Sequence, residues 1–189
     1  MFVLYAIPLG LIGGFLLGGR LDGLSTLRFR WAPVALLGLL AQIVLFSGAV
    51  DTLIGGWGPA LYVASTVAVL AAVLRNLAIP GLALVAVGAG SNLAAILANG
   101  GAMPADPGAL RLAGYTGSPT SFSNSVETAN PALRPLTDIF ALPEAFPLSN
   151  VFSVGDVLIG VGLALTIALA MRRGRDPAPA AVRTGNSPD

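Results

Sequence analysis

The chain has 189 residues, of which 55% are apolar and only 10% charged, with a net charge of +1. Soluble domains carry about 25% charged residues, so a mean hydropathy of +0.82 excludes an ordinary soluble domain and points to an integral membrane protein. There is no Cys and no His, which excludes disulfides, thiolate nucleophiles, Ser-His triads, imidazole-held haem and the usual zinc sites.

Five apolar runs come close to the roughly 20 residues that cross a bilayer core of about 30 Å. They are residues 2–19, 31–50, 57–74, 77–98 and 151–171. The expected fold class is therefore an all-α integral membrane protein with five transmembrane helices. In the first run Gly10, Gly14 and Gly18 share one helix face, which suits close packing. Arg20 follows this run instead of preceding it, so it reads as a retained helix and not as a signal peptide. Pro33 and Pro59 fall near span starts, where a missing N–H is tolerated. Trp31, Trp57 and Tyr62 lie near span ends, as interfacial aromatics do.

Every basic residue is Arg. Arg20, Arg28 and Arg30 lie between spans one and two, Arg75 between spans three and four, and Arg172, Arg173, Arg175 and Arg183 after span five. Only Arg111 and Arg134 lie on the other side. The positive-inside rule then puts the N-terminus outside, the C-terminus inside and the long segment 99–150 outside. Residues 1–173 form the membrane domain with this extracytoplasmic cap, and the Pro/Ala-rich residues 174–189 read as a disordered cytoplasmic tail.

The cap is too long for a passive link. Gly, Pro, Ser, Thr and Asn make turns its dominant structure, with short helices expected near 106–113 and 135–141. Its apolar residues, among them Met103, Leu136 and Phe140, are anchors that pack it onto the bundle. Polar residues gather where the cap meets the helices. Asn92 and Asn99 are seven apart on span four. Asn150, Ser153 and Asp156 are each three apart at the start of span five and so share a face. Asp138 lies in the cap. An ionisable residue inside a membrane span is a functional candidate by default, and two carboxylates at one membrane surface can do acid/base chemistry.

Asn92, the NGGAMP turn at 99–104, PLTDIFALP at 135–143 and NVFSVGD at 150–156 carry a resemblance over nearly the whole chain. It is to a family of small bacterial membrane proteins known only as a domain of unknown function. That resemblance implies a multi-pass protein of the bacterial cytoplasmic (inner) membrane and brings no reaction. A second resemblance is confined to the two aspartate motifs. LTDIF at 136–140 and FSVGD at 152–156 are similar to the V-V-D-F-like and F-N-x-A-D motifs that carry the catalytic aspartates of lipoprotein signal peptidases, which are membrane aspartyl proteases. Ser153 stands where that family has Asn. Its G-N-x-x-D-R motif finds only Gly90-Ser91-Asn92-Leu93 here, without the Asp-Arg. The resemblance implies that Asp138 and Asp156 form a catalytic dyad.

Several readings stay open. As a dyad, Asp138 and Asp156 would serve an intramembrane aspartyl hydrolase acting on a membrane-embedded or lipid-anchored protein substrate. As structural groups, Asp138 would cap a short helix starting after Thr137 and Asp156 would pair with Arg111 or Arg134. That second reading describes a non-enzymatic scaffold or accessory subunit that docks a partner. A small-ligand or ion transporter is the third, and spans one to three supply almost none of the polar groups it needs. Gly100 and Gly101 read as a glycine C-cap of span four or as N–H donors to a ligand. Asn92 reads as an interhelical hydrogen-bonding group or as a substrate contact. The expected partner is the lipid bilayer. No metal, cofactor or nucleic acid is expected.

Overall fold

A computed structural model describes residues 2–115 and 125–173, and the tail 174–189 lies outside the described residues. The chain is mostly helical. The principal helices are α1 (Ala6–Leu16), α2 (Ala32–Leu45), α3 (Asp51–Ile54), α4 (Gly58–Leu74), α5 (Leu82–Ala98), α6 (Pro107–Leu112) and α7 (Val154–Arg173). Two stretches, Thr52–Leu74 and Val154–Arg173, are long and apolar enough to cross a membrane. Phe2–Leu16, Ala32–Leu45 and Leu82–Ala98 are shorter apolar helices.

The shortening relative to the sequence reading has local causes. After α1 the chain turns at Gly18 (φ +73°), and Gly19 N–H donates to Gly14 O at 2.8 Å. That six-residue closure is a Schellman stop. The expected ladder of Gly10, Gly14 and Gly18 is therefore Ala6, Gly10 and Gly14, the three buried residues of α1. Before α5 the chain runs through Pro80 and Gly81 (φ +93°), so residues 77–81 form turns.

Helix α7 is the central post, packed against α5 on one side and α1 on the other, while α4 bridges α5 and α2. Small residues set the α5–α7 distance. A Cβ on Gly155 would come within 2.7 Å of Gly88 O, and one on Gly162 within 2.7 Å of Gly81 O. The two backbones thus touch twice, seven residues apart on each helix. One end of the bundle gathers arginines. Arg20 N–H donates to Met171 O at 2.9 Å, and Asn76 clamps the Arg30 peptide by accepting from its N–H and donating to its C=O, both at 2.7 Å. Arg75 sits 5.5 Å over the ring of Trp31, whose φ of 62° starts α2 in the left-handed region.

The opposite end carries the cap, where short strands join the mostly helical chain. Among the described residues four three-residue strands form: β1 (Met103–Ala105), β2 (Ser125–Glu127), β3 (Phe140–Leu142) and β4 (Asn150–Phe152). Strands β1 and β2 are parallel, with Met103 beside Ser125; β3 and β4 are antiparallel, with Phe140 beside Phe152. Helix α6 forms where expected, with Asp106 as its N-cap accepting from Gly108 and Ala109 N–H at 2.8 and 3.1 Å. The helix expected near 135–141 does not form. Arg134–Leu136 is a single 3-10 turn, after which the backbone extends and Asp138 bridges to Ala105. Pairing with buried β1 satisfies the Asp138 peptide, which a three-residue turn leaves open.

Candidate functional site

The site lies where the cap meets α4, α5 and α7, and it begins with a helix start. Ser153 is fully buried just before α7. Its Oγ accepts from Asp156 N–H at 3.0 Å, and Asp156 Oδ2 accepts from Ser153 N–H at 3.0 Å. This reciprocal pair is a capping box, with Asp in place of the usual Glu. Asp156 Oδ1 also accepts from Asn92 Nδ2 on α5 at 2.9 Å. Ser153 Oγ lies 2.8 Å from Asn92 Oδ1 and 3.1 Å from Asp156 Oδ2, so its one proton serves either acceptor. Asn92, Ser153 and Asp156 form a closed polar ring between two helices. The glycine at 155 makes the ring possible, because a Cβ there would collide with Asn92 Oδ1.

Asp138 enters from the cap. Its N–H donates to Pro104 O at 2.9 Å and its C=O accepts from Asp106 N–H at 3.0 Å, so its backbone is held like a strand residue. The side chain is only 3% exposed, and its Oδ2 accepts from Ser125 Oγ at 2.7 Å. Burial pushes the Asp138 carboxyl up to about 7; the Ser125 hydrogen bond opposes the rise and the Asp156 charge adds to it. Loss of hydration penalises the charged form, and a like charge nearby does the same. The cap carboxyl and the helix carboxyl are thus close enough to influence each other.

Tyr62 completes the group. It lies one turn inside α4 and is 8% exposed. It packs with Ala95 and Ile96 of α5, with Met103 of β1 and with Leu136, two residues before Asp138. Its hydroxyl is within electrostatic range of both Asp138 and Asp156. The ring packs edge-on against Phe46, centroids 5.0 Å apart.

The remaining sequence candidates have other places. Asn99 ends α5, donating to Ala95 O (2.8 Å) and Ala132 O (3.0 Å) and accepting from Ala132 N–H (2.9 Å), so it pins the cap to the bundle. Gly100 (φ +73°) and Gly101 (φ +90°) make the turn that stops α5, and Gly101 N–H is taken by Ile96 O at 2.9 Å. Asn150 is in β4 and does not share a helix face with Ser153 and Asp156 as expected; it accepts from the Tyr115 hydroxyl at 3.3 Å. The strand pairing with β3 delays the helix to Val154. Arg111 lies exposed on α6. Arg134 pairs with Asp106 at 3.4 Å on the cap surface. The expected Arg partner of Asp156 is replaced by Asn92 and Ser153, neutral groups that stabilise a carboxylate without bringing a second charge into the bundle.

Tyr62, Ser125 and Thr137 are site residues that sequence reasoning missed. Thr137 is buried next to Asp138 and donates to Arg134 O at 2.8 Å, fixing the turn that presents the aspartate. Their only sequence signal is a hydroxyl close to an anchor residue, which does not reveal a partner on another element. Among the described residues no three Asp, Glu, His or Cys side chains come together as a metal site. Chemically the arrangement offers a buried carboxyl whose proton is held up to about pH 7 and a second carboxyl group held by neutral donors.

The model of a family of unknown function, DUF5317, matches residues 26–168, and the chain belongs to that family. Tyr62, Asn92, Asp138, Ser153 and Asp156 all lie inside the match, and α1 lies outside it. No curated protein and no solved structure matches the chain.

Proposed function

We propose that this DUF5317 member is a five-span protein of the bacterial inner membrane, and that Asp138 and Asp156 form the carboxylate pair of an aspartyl hydrolase at the outer leaflet. Its N-terminus and cap face outward and its C-terminus faces inward. Support for the membrane setting comes from the helix surfaces, where Leu16, Leu37, Ile43, Val87 and Val161 are all exposed, as lipid-facing residues are. Arg20, Arg28, Arg30, Arg75, Arg172 and Arg173 gather at the end away from the cap, which supports the orientation.

The observation that carries the reading is a buried cap carboxyl, pushed up to about 7 chiefly by its burial, that feels the charge of a second carboxylate on α7. An aspartyl hydrolase needs one carboxylate to take a proton from water and one carboxylic acid to donate to the scissile carbonyl. Asp156 fits the base and Asp138 the acid. Water adds to the carbonyl carbon as its proton passes to Asp156, and the Asp138 proton goes to the carbonyl oxygen. As this tetrahedral diol collapses the C–N bond breaks, Asp156 passes its proton to the leaving amine, and a diol hydroxyl returns a proton to Asp138 as the new carboxyl group forms. A membrane-embedded or lipid-anchored protein is the fitting substrate. An apolar groove of ≈ 680 Å³ lies between α2, α3 and α4, lined by Leu37, Leu40, Val44 and Leu53, and would suit an apolar segment of such a substrate. Leu45 and Ile54 of its wall also pack in the Tyr62 cluster.

The test compares N-terminal peptides of membrane proteins from cells making the native chain, Asp138→Asn or Asp156→Asn in a strain lacking it. A set of termini present only with the native chain, and lost in both variants at equal protein level and thermal stability, is expected. Termini unchanged by both substitutions, in folded protein, would overturn the hydrolase. The capping box and the Asn92 bond favour a second reading, in which Asp156 only fastens α7 to α5 of a docking scaffold. That reading requires Asp156→Asn to keep function wherever the fold survives.

A further inference from the structure

We infer that Arg30, Trp31 and Arg75 form a headgroup site for an anionic phospholipid at the arginine end of the bundle. The inference rests on the membrane orientation proposed above and not on the hydrolase. The segment between α1 and α2 is fastened across that end of the molecule. A Cβ on Gly23 would come within 2.9 Å of Met171 Cα, so the segment rests on the last turn of α7. Phe29 packs into the cluster of Val73, Leu82 and Val85, while its neighbours Arg28 and Arg30 are exposed. Asn76 is 4% exposed and commits its side-chain amide to backbone. It accepts from Arg30 N–H and donates to Arg30 O and Ala72 O, all at 2.7 Å. Arg75 directly precedes Asn76, so two arginines from distant parts of the chain are brought to one corner of the bundle.

Orientation by the positive-inside rule needs arginines in the segment and nothing more. It does not need their peptide held by a buried amide. Nor does it need a tryptophan in the left-handed region, where a bulky residue is strained. Trp31 has that conformation (φ 62°) and is 52% exposed, with Arg75 Cζ 5.5 Å from its ring centroid. Stacking engages the face of a guanidinium and leaves its five N–H donors, which lie in the plane, open to oxygen. Among the described residues at this end, six arginines stand against one carboxylate, Asp22, which pairs with Arg20 at 3.4 Å. Arg30 and Arg75 are exposed and have no carboxylate partner among the described residues. A phosphodiester matches this corner. Guanidinium forks grip its oxygens, and the indole lies at headgroup depth as interfacial tryptophans do. The held backbone lowers the ordering cost of binding.

The experiment is native mass spectrometry of the full chain in detergent, titrated with phosphatidylglycerol or with phosphatidylcholine, which has no net charge. The first phosphatidylglycerol should bind about fivefold or more tighter than phosphatidylcholine, the factor that one arginine near an anionic surface supplies. An Arg30→Gln/Arg75→Gln double variant should abolish that preference. Arg172→Gln/Arg173→Gln, with the same loss of charge, should keep it. Arg75→Lys should also weaken the first binding, since lysine keeps the charge and loses the fork. All these arginines are exposed, so an unchanged thermal midpoint without lipid is expected of every variant. Equal losses from the two double variants would mean a diffuse basic surface and would overturn the site. A native chain that binds both lipids alike would overturn it too. Failure of the orientation looks different. Ser25→Cys, in a chain without native Cys, would then be labelled by an impermeant maleimide from outside the cell. That labelling would sink the orientation, while the lipid titration still decides the headgroup site.

Discussion

The α5–α7 seam and the boundary between cap and bundle use opposite means to hold two surfaces together. Along the seam, Gly88 of α5 and Gly81 just before it face Gly155 and Gly162 of α7, and backbone rests on backbone. Lipid is as apolar as any side chain, so helices in a membrane gain by close contact more than by greasy surface. At the cap the reverse holds. Asn92, Asn99, Ser125, Ser153, Asp138 and Asp156 each meet a specific hydrogen-bonding partner, and most of those partners lie far away in the chain. The seam is specified by what is missing from the side chains, and the boundary by what they carry. Gly155 belongs to both, because its missing Cβ makes room for Asn92.

Substitutions that respect this division should separate the two regions. Gly88→Val strikes the seam alone and forces a side chain against the Gly155 backbone and Ile159. A stability loss of about 3 kcal/mol is expected, read as a lower midpoint of denaturant unfolding in detergent. The boundary should respond to pH instead. Asp138 is raised in the folded state above its ordinary value of 3.8, so the fold holds its proton more tightly than the unfolded chain does. The stabilisation from neutral Asp138 is then complete below about pH 4 and is lost as pH rises through about 7. Between pH 5 and 8 the native chain should lose about 2 to 3 kcal/mol through this group, and Asp138→Asn should remove that slope while Gly88→Val keeps it.

Two smaller effects sharpen the contrast. Asn92→Ala leaves Asp156 Oδ1 without its α5 donor and should cost about 1.5 kcal/mol, seen as a lower thermal midpoint with the helix content unchanged. Ser153→Ala removes the N-cap of α7 and should cost about 1 kcal/mol. Faster hydrogen exchange confined to the first turn of α7 would identify this as a capping loss, and exchange spread along α7 would refute it.

The same division explains what could be read from the sequence. The apolar runs marked where helices lie, because a long apolar helix has a compositional signature that survives without partners. Their ends were read too long wherever a glycine with positive φ, such as Gly18 or Gly81, closes the helix early. Ser153 and Asp156 were legible as neighbours, since a capping box is a local pattern of four residues. The burial of Asp138 was not. It depends on three-residue strands too short to show alternation, and on a parallel bridge to Ala105, thirty-three positions earlier in the chain. Tyr62 read as an interfacial aromatic because its burial comes from the cap folding over it. Arg134 read as a partner for Asp156 because charge complementarity is visible in sequence; that Asp106 was nearer is not.

The central claim is that Asp138 and Asp156 share one site, and the infrared titration of protonated Asp138 in the Asp156→Asn protein tests it most directly. In the native chain the infrared carbonyl band of this carboxyl should be half lost near pH 7. In Asp156→Asn the midpoint should fall, because the carboxylate charge that helps hold the proton on Asp138 is gone. A midpoint near the ordinary carboxylate value in the native chain, or one that Asp156→Asn leaves unmoved, would contradict a shared site.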